Sequence, residues 1–142
     1  MTQWARQSTC VAVDGRAILI EGAPGMGKSS LALALIDRGA LLVGDDSVML
    51  EEHQGVHYAM PHPNTRGLLE VRGVGLVRMA VEARVPVALL LHLDESAPRH
   101  VETAPTVDMG GVAIPCTTLW PGASALALRA ELALKNHGLS VA

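Results

Sequence analysis

Lys28 and Ser29 end the octapeptide Gly22-Ala23-Pro24-Gly25-Met26-Gly27-Lys28-Ser29, which fits the phosphate-loop pattern G-x-x-x-x-G-K-S/T without a mismatch. Small residues let successive backbone N–H groups turn inward around phosphate oxygens. Lys28 can reach the outer phosphates, and the Ser29 hydroxyl can hold a magnesium ion. Ser30 begins an apolar-periodic stretch, so a helix N-terminus adds its partial positive charge at the same place. Nine of the eleven basic residues are arginine, so a lysine at this position is hard to assign to background.

Phosphate transfer needs more than phosphate binding: a metal site and a group that positions and activates the nucleophile. Asp45 and Asp46 follow the apolar run 40–43, which places them at a strand's C-terminal end, where the phosphate loop also lies. One carboxylate could accept a proton from an attacking hydroxyl while the other binds magnesium or its water shell. Which does which stays open, and a solvated acidic turn is the bland alternative. Glu70 sits between Leu69 and Val71, where an acid is costly to bury unless paired or bound to metal. Arg72, two residues on, could face the same side of an extended segment, so a plain Glu70–Arg72 ion pair also stays open. The six histidines, His53, His57, His62, His92, His100 and His137, are expected in surface or packing roles. Glu51 and Glu52 are expected at a solvated strand end.

These residues need elements to hold them. Residues 1–8 read as a polar lead-in. A hairpin follows, 9–13 and 16–20 around Asp14-Gly15, then the phosphate loop and a helix over 30–38 closed by Gly39. Short strands are expected at 40–43, 48–52 and 55–60, the last two around a turn at His53-Gln54. Residues 61–64 are a loop, and 68–76 an apolar run interrupted by glycines and a charged pair. Residues 85–93 form a strong buried strand, 94–99 a loop, and 100–103 an edge strand. Residues 107–109 lead into a Gly110-Gly111 turn, 112–119 are extended but interrupted by Pro115, and 123–136 are a helix with Gly138 beyond it. Many strands and few helices favour an α/β fold with a mixed β-sheet over a doubly wound parallel one.

The chain of 142 residues suits a single domain over 1–142, and 49% apolar with 18% charged content marks a globular chain. A net charge of -3 favours neither nucleic acid nor an anionic membrane as partner. Cys10 and Cys116 sit in apolar stretches without metal-ligand spacing, as buried thiols of a reducing compartment do. The N-terminus lacks a signal-peptide pattern, and the longest apolar run, 85–91, is too short to span a bilayer. A cytoplasmic protein is expected.

Taken together, the loop from Gly22 to Ser29, the stretch Leu42-Val43-Gly44-Asp45-Asp46 and the stretch Leu69-Glu70-Val71-Arg72-Gly73-Val74-Gly75 resemble the catalytic domain of HPr kinase/phosphorylase. The third stretch is close to that family's signature. The resemblance covers residues 9–93 well and the remainder loosely, and the length resembles the short form that lacks the family's N-terminal domain. It implies a P-loop domain similar to the nucleotide-binding part of phosphoenolpyruvate carboxykinase. It also implies a protein-serine kinase, a transferase that moves the γ-phosphoryl of ATP, with Mg2+, to a serine of HPr, a phosphocarrier of the sugar phosphotransferase system. In the reverse reaction inorganic phosphate attacks the phosphoserine and yields pyrophosphate. A homo-oligomer is implied, since the family often forms hexamers.

Carried over by residue, Lys28 would hold the β- and γ-phosphates, Ser29 the magnesium, and the Asp45–Asp46 pair the base and a metal contact. Glu70 would complete the metal site with Ser29 and Asp46, and Arg72 would steady the loop or contact phosphate. This chain departs from the family at Gln7, where the family usually has a histidine before the phosphate loop. It departs again at Ala123 and Ser124, which follow Pro121-Gly122 where a basic residue is common. Stretch 61–66 falls outside the resemblance. Two other readings stay open: a nucleotide or phosphate sensor, which Gln7 favours and the three acids oppose, and a small-metabolite kinase.

Overall fold

A computed structural model describes residues 2–140. Its centre is a nine-stranded mixed sheet, and β9 (Val85–Leu93) is the strand around which the others pair. β9 runs parallel to β3 (Arg16–Gly22) on one side. Its other edge is shared. β6 (Val56–Pro61) pairs antiparallel at Val85 and Pro86, and β11 (Val112–Leu119) pairs parallel from Leu90 to Leu93. β2 (Thr9–Val13) lies antiparallel between β3 and β4 (Leu41–Gly44). β5 (Val48–His53) joins β6 through a tight turn in which Gln54 and Gly55 both have positive φ, as hairpin turns of this length require. The fold is thus α/β with a mixed sheet, as the strand-rich order implied.

Both faces of the sheet are buried, which explains why β9 reads as an unbroken apolar run and not as an alternating one. Leu89, Leu91 and Leu93 face one side, with Ile18 and Ile20, under α1 (Lys28–Asp37) and α2 (Leu126–His137). Val87 and Leu90 face the other, with Leu19, Val43, Leu50 and Ile114. Among the described residues no helix is long and apolar enough to cross a membrane.

Several expectations change in three dimensions. Residues 3–6 are not a lead-in but β1 (Gln3–Arg6), antiparallel to β5. Glu51 is therefore not a solvated strand end: it is buried, accepts a hydrogen bond from Gln3 Nε2 at 2.9 Å, and lies 4.0 Å from Arg84. Residues 100–103 form no strand. The edge strand is β10 (Thr106–Met109), paired with β11. Pro115 does not break β11, because it closes the β10 pairing just before β11 turns to β9 at Cys116. Residues 68–76 fold as two strands, β7 (Leu68–Val71) and β8 (Gly75–Arg78), so Arg72 lies in their turn. Helix α1 starts two residues earlier than the spacing predicts, at Lys28, and α2 starts later, at Leu126. Cys10 is a buried free thiol and Cys116 a half-buried one.

Candidate active site

The C-terminal ends of the parallel strands create the site. Gly22 ends β3 directly beside Leu93 at the end of β9, and a Cβ at residue 22 would lie 2.8 Å from the Leu93 carbonyl oxygen. Only glycine lets the strands stay paired while the chain turns away. Gly25 and Gly27 then take positive φ, 84° and 88°. Gly27 caps α1 without any side-chain hydrogen bond, so the first N–H groups of the helix point out of the loop with no competing acceptor. Lys28 is half-buried, and its Nζ donates to the Gly22 carbonyl at 2.9 Å, which folds it back across the loop.

Asp45 ties three elements together. Its Oδ1 accepts the Ser29 hydroxyl at 2.7 Å and the Thr9 hydroxyl at 3.1 Å, and its Oδ2 accepts the backbone N–H of Glu70 at 3.0 Å. The turn that places it is tight: a Cβ on Gly44 would lie 2.5 Å from the Ser47 carbonyl oxygen. Asp46 takes a left-handed backbone, φ 65°, while its N–H donates to Thr9 Oγ1 at 3.2 Å. That reversal sends the two neighbouring carboxylates to different places. Asp asparagine-like tolerance of this region makes it feasible, and such outliers cluster at functional sites.

Two cavities meet at Lys28. One, of about 280 Å³, is lined by Gly25, Gly27, Lys28, Ser29, Ser30, Glu70 and Arg72. The other, of about 390 Å³, is lined by Gln7, Ser8, Thr9, Glu21, Gly22, Pro24, Lys28, Asp46 and His92. The sequence-derived residues are thus brought to one place but divided. Ser29, Glu70 and Arg72 stand on one side and Asp46 on the other, with Ala23 and Met26 in the loop between the strand and the helix. Glu70 and Arg72 are both exposed, and no ion pair joins them among the described residues.

Thr9, Glu21 and His92 were not singled out as site residues from sequence. Thr9 carries no local signal. Glu21 and His92 face each other in register at the strand ends, a polar pair closing two apolar runs, which is the signal that could have found them. Glu21 accepts hydrogen bonds from Nε and Nη2 of Arg6, at 2.6 and 3.0 Å, and so fixes the start of the Gln7 segment. His92 Nε2 lies 3.4 Å from Asp94 Oδ2. The Ser96 backbone N–H and hydroxyl, with His92 adding less, hold the Asp94 carboxyl below the usual carboxylate range.

Among the described residues no group of three or more His, Cys, Asp or Glu side chains is placed to hold a metal ion. Ser29 and Asp45 nonetheless offer two adjacent oxygens beside the phosphate loop. That donor set fits magnesium, which binds through one or two protein oxygens, keeps several waters and takes the rest from phosphates.

Comparison with known proteins places the fold. The HPr Serine kinase C-terminal domain matches residues 2–101. The HPr kinase/phosphorylase of Mycoplasmopsis pulmonis is 41% identical over 69 residues, 49% of this chain and 22% of that protein. That of Clostridium botulinum (strain Eklund 17B / Type B) is 46% identical over 67 residues, 47% of this chain and again 22% of the relative. The matched stretch thus spans about a fifth of the length of these curated relatives. The solved Hpr(Ser) kinase/phosphatase from Coxiella burnetii superposes with a TM-score of 0.82 at 26% identity, covering 96% of this chain and 90% of that one. A match over residues 2–101 takes in the phosphate loop, the aspartate turn and the β7–β8 hairpin alike, and so the chain belongs to the HPr Serine kinase C-terminal domain family.

Proposed function

We propose that this protein is an ATP-dependent, magnesium-assisted protein-serine kinase acting on an HPr-type phosphocarrier, with residues 1–142 working as one catalytic unit. The observation that carries the reading is the position of Lys28, shared by two cavities that divide the carboxylates between them. The cavity of Gly25, Gly27, Ser29 and Ser30 suits the nucleotide phosphates. The cavity of Asp46 suits the incoming serine.

In this reading the backbone N–H groups of the loop and the α1 N-terminus bind the β- and γ-phosphates. Lys28 leaves the Gly22 carbonyl for the phosphate being transferred, where its charge stabilises the transition state. Ser29 and Asp45 would hold the magnesium, and Glu70 reaches the same cavity from β7. The metal, when bound with nucleotide, neutralises charge that develops on the phosphates. Arg72 offers a further cation on that side. Asp46 takes the proton of the serine hydroxyl as its oxygen bonds to the γ-phosphorus and the bond to ADP breaks. In reverse, inorganic phosphate attacks the phosphoserine, pyrophosphate leaves, and protonated Asp46 returns its proton to the serine oxygen. The Ser29–Asp45 hydrogen bond is what favours Asp45 for the metal and Asp46 for the base.

The charge of -3 and the absence of a membrane-crossing helix among the described residues fit a cytoplasmic enzyme with neither nucleic-acid nor membrane partners. Val74 and Leu76, 74% and 70% exposed on the β7–β8 hairpin, suit packing between subunits of a homo-oligomer. The test is incubation with γ-labelled ATP, magnesium and HPr beside a Lys28→Ala control. Label on an HPr serine, absent in the control, is the expected result. ATP binding without transfer would favour a sensor or a different acceptor, and full activity of Lys28→Ala would end the phosphate-loop assignment.

A further inference from the structure

A cavity of about 720 Å³ lies apart from Lys28, between residues 95–101, the end of β11 and α2. It falls in the range of small-molecule sites, roughly 300–1,000 Å³. Both cavities at Lys28 are smaller.

Its place in the sheet is specific. Gly22 pairs with Leu93, and Leu93 pairs with Leu119, so three parallel strands end abreast. The last residue of β11 is therefore two strand spacings, about 10 Å, from the first glycine of the phosphate loop. Ligands of open α/β sheets bind outside such carboxyl ends.

Its lining is equally specific. Trp120 follows β11 and is 52% exposed, and Gly122 packs closely on it: a Cβ there would lie 2.9 Å from the indole ring. A half-bare aromatic ring lining a cavity offers a stacking surface. Leu132 of α2, 47% exposed, supplies apolar wall. Thr117 is 5% exposed and lines the cavity, and its hydroxyl has no hydrogen-bond partner among the described residues. Arg99 and Arg129 stand against one carboxylate, Glu95, in the lining. Arg129 is oriented by donating from Nε to the Ser124 carbonyl at 2.8 Å, and Arg99 makes no ion pair among the described residues.

We infer that this cavity is the nucleoside subsite: Trp120 stacks on the base of the nucleotide whose phosphates occupy the loop, with Arg99 and Arg129 in the same lining. The subsite rests on the nucleotide reading above, so its test must separate the two. In a Trp4→Phe background Trp120 is the one tryptophan left, and its fluorescence reports the cavity directly. Dissociation constants for ATP and for inorganic tripolyphosphate are then measured with Trp120→Ala and Lys28→Ala.

Trp120→Ala should weaken ATP about tenfold and leave tripolyphosphate unchanged, which also shows that the variant is folded. Trp120→Phe, keeping a ring, should lose about threefold or less. Lys28→Ala should weaken both ligands, and ATP should quench Trp120 where tripolyphosphate does not. Unchanged ATP affinity in Trp120→Ala overturns the subsite. So does a Lys28→Ala protein that loses tripolyphosphate but whose Trp120 still responds to ATP at the original affinity, since that describes a separate site. Tripolyphosphate binding that survives Lys28→Ala overturns the phosphate-loop reading instead.

Discussion

Asp45 accepts hydrogen bonds from Ser29, Thr9 and the Glu70 backbone, whereas the next residue, with φ 65°, lines the cavity of Gln7 and His92. Adjacent carboxylates of one sign repel less when the backbone sends them apart, and each can then hold one role. Asp46→Asn should cut phosphate transfer by about 10²- to 10³-fold, the range for loss of a general base, while ATP affinity changes by less than about twofold. Asp45→Asn should do something different. It weakens three contacts at once, so magnesium-dependent ATP affinity should fall, and unfolding in urea should show a loss of about 1–2 kcal/mol. Equal phenotypes for the two variants would dissolve the division of labour. The eight-residue phosphate loop was legible in the sequence because it is contiguous. Thr9 was not, because the atoms it joins come from a turn 36 residues away.

At the scale of elements, what could be read and what could not follow the range of the forces. β9, the two tight hairpins and α1 were legible because period, turn chemistry and glycine positions are local signals. β1 was not: Gln3–Arg6 is too short and mixed to carry a period, and becomes a strand only because β5 offers it a partner. Residues 100–103 carry as much strand propensity as 106–109, and the Gly110-Gly111 turn decides between them by bringing β10 back onto β11. The late start of α2 has its own local cause. Ala125, its N-cap, sits at φ 53° and ψ 43°, a left-handed conformation that costs an alanine about 1–2 kcal/mol. Glycine removes that strain and adds some unfolded-state entropy. Ala125→Gly should therefore raise stability by about 0.5 kcal/mol, near 2 °C in melting temperature, and calorimetry would register it. A lower melting temperature would mean that the αL turn is not strained.

At the scale of the whole molecule, the site depends on strands that the phosphate loop never touches. β11 brings Leu119 and Trp120 to the row of strand ends, and β11 is anchored by β10 along its first half and by β9 along its second. β10 is tied in turn to the far half of the sheet through His57 of β6, 1% exposed, whose Nε2–H donates to the Met109 carbonyl. Its ring also meets Trp4 of β1 edge to face, centroids 5.3 Å apart. One side chain thus joins β1, β6 and β10 beneath the face that α1 and α2 do not cover. His57→Ala should cost about 3 kcal/mol, from the cavity, the lost aromatic contact and the unpaired Met109 carbonyl. His57→Phe keeps the ring and removes an Nδ1 that has no partner among the described residues, so it should cost only about 1 kcal/mol. Urea unfolding of the pair separates packing from hydrogen bonding. If packing dominates, Phe recovers most of the loss; if the bond to Met109 dominates, both variants fall together and β10 loses its protection against amide hydrogen exchange before the core does.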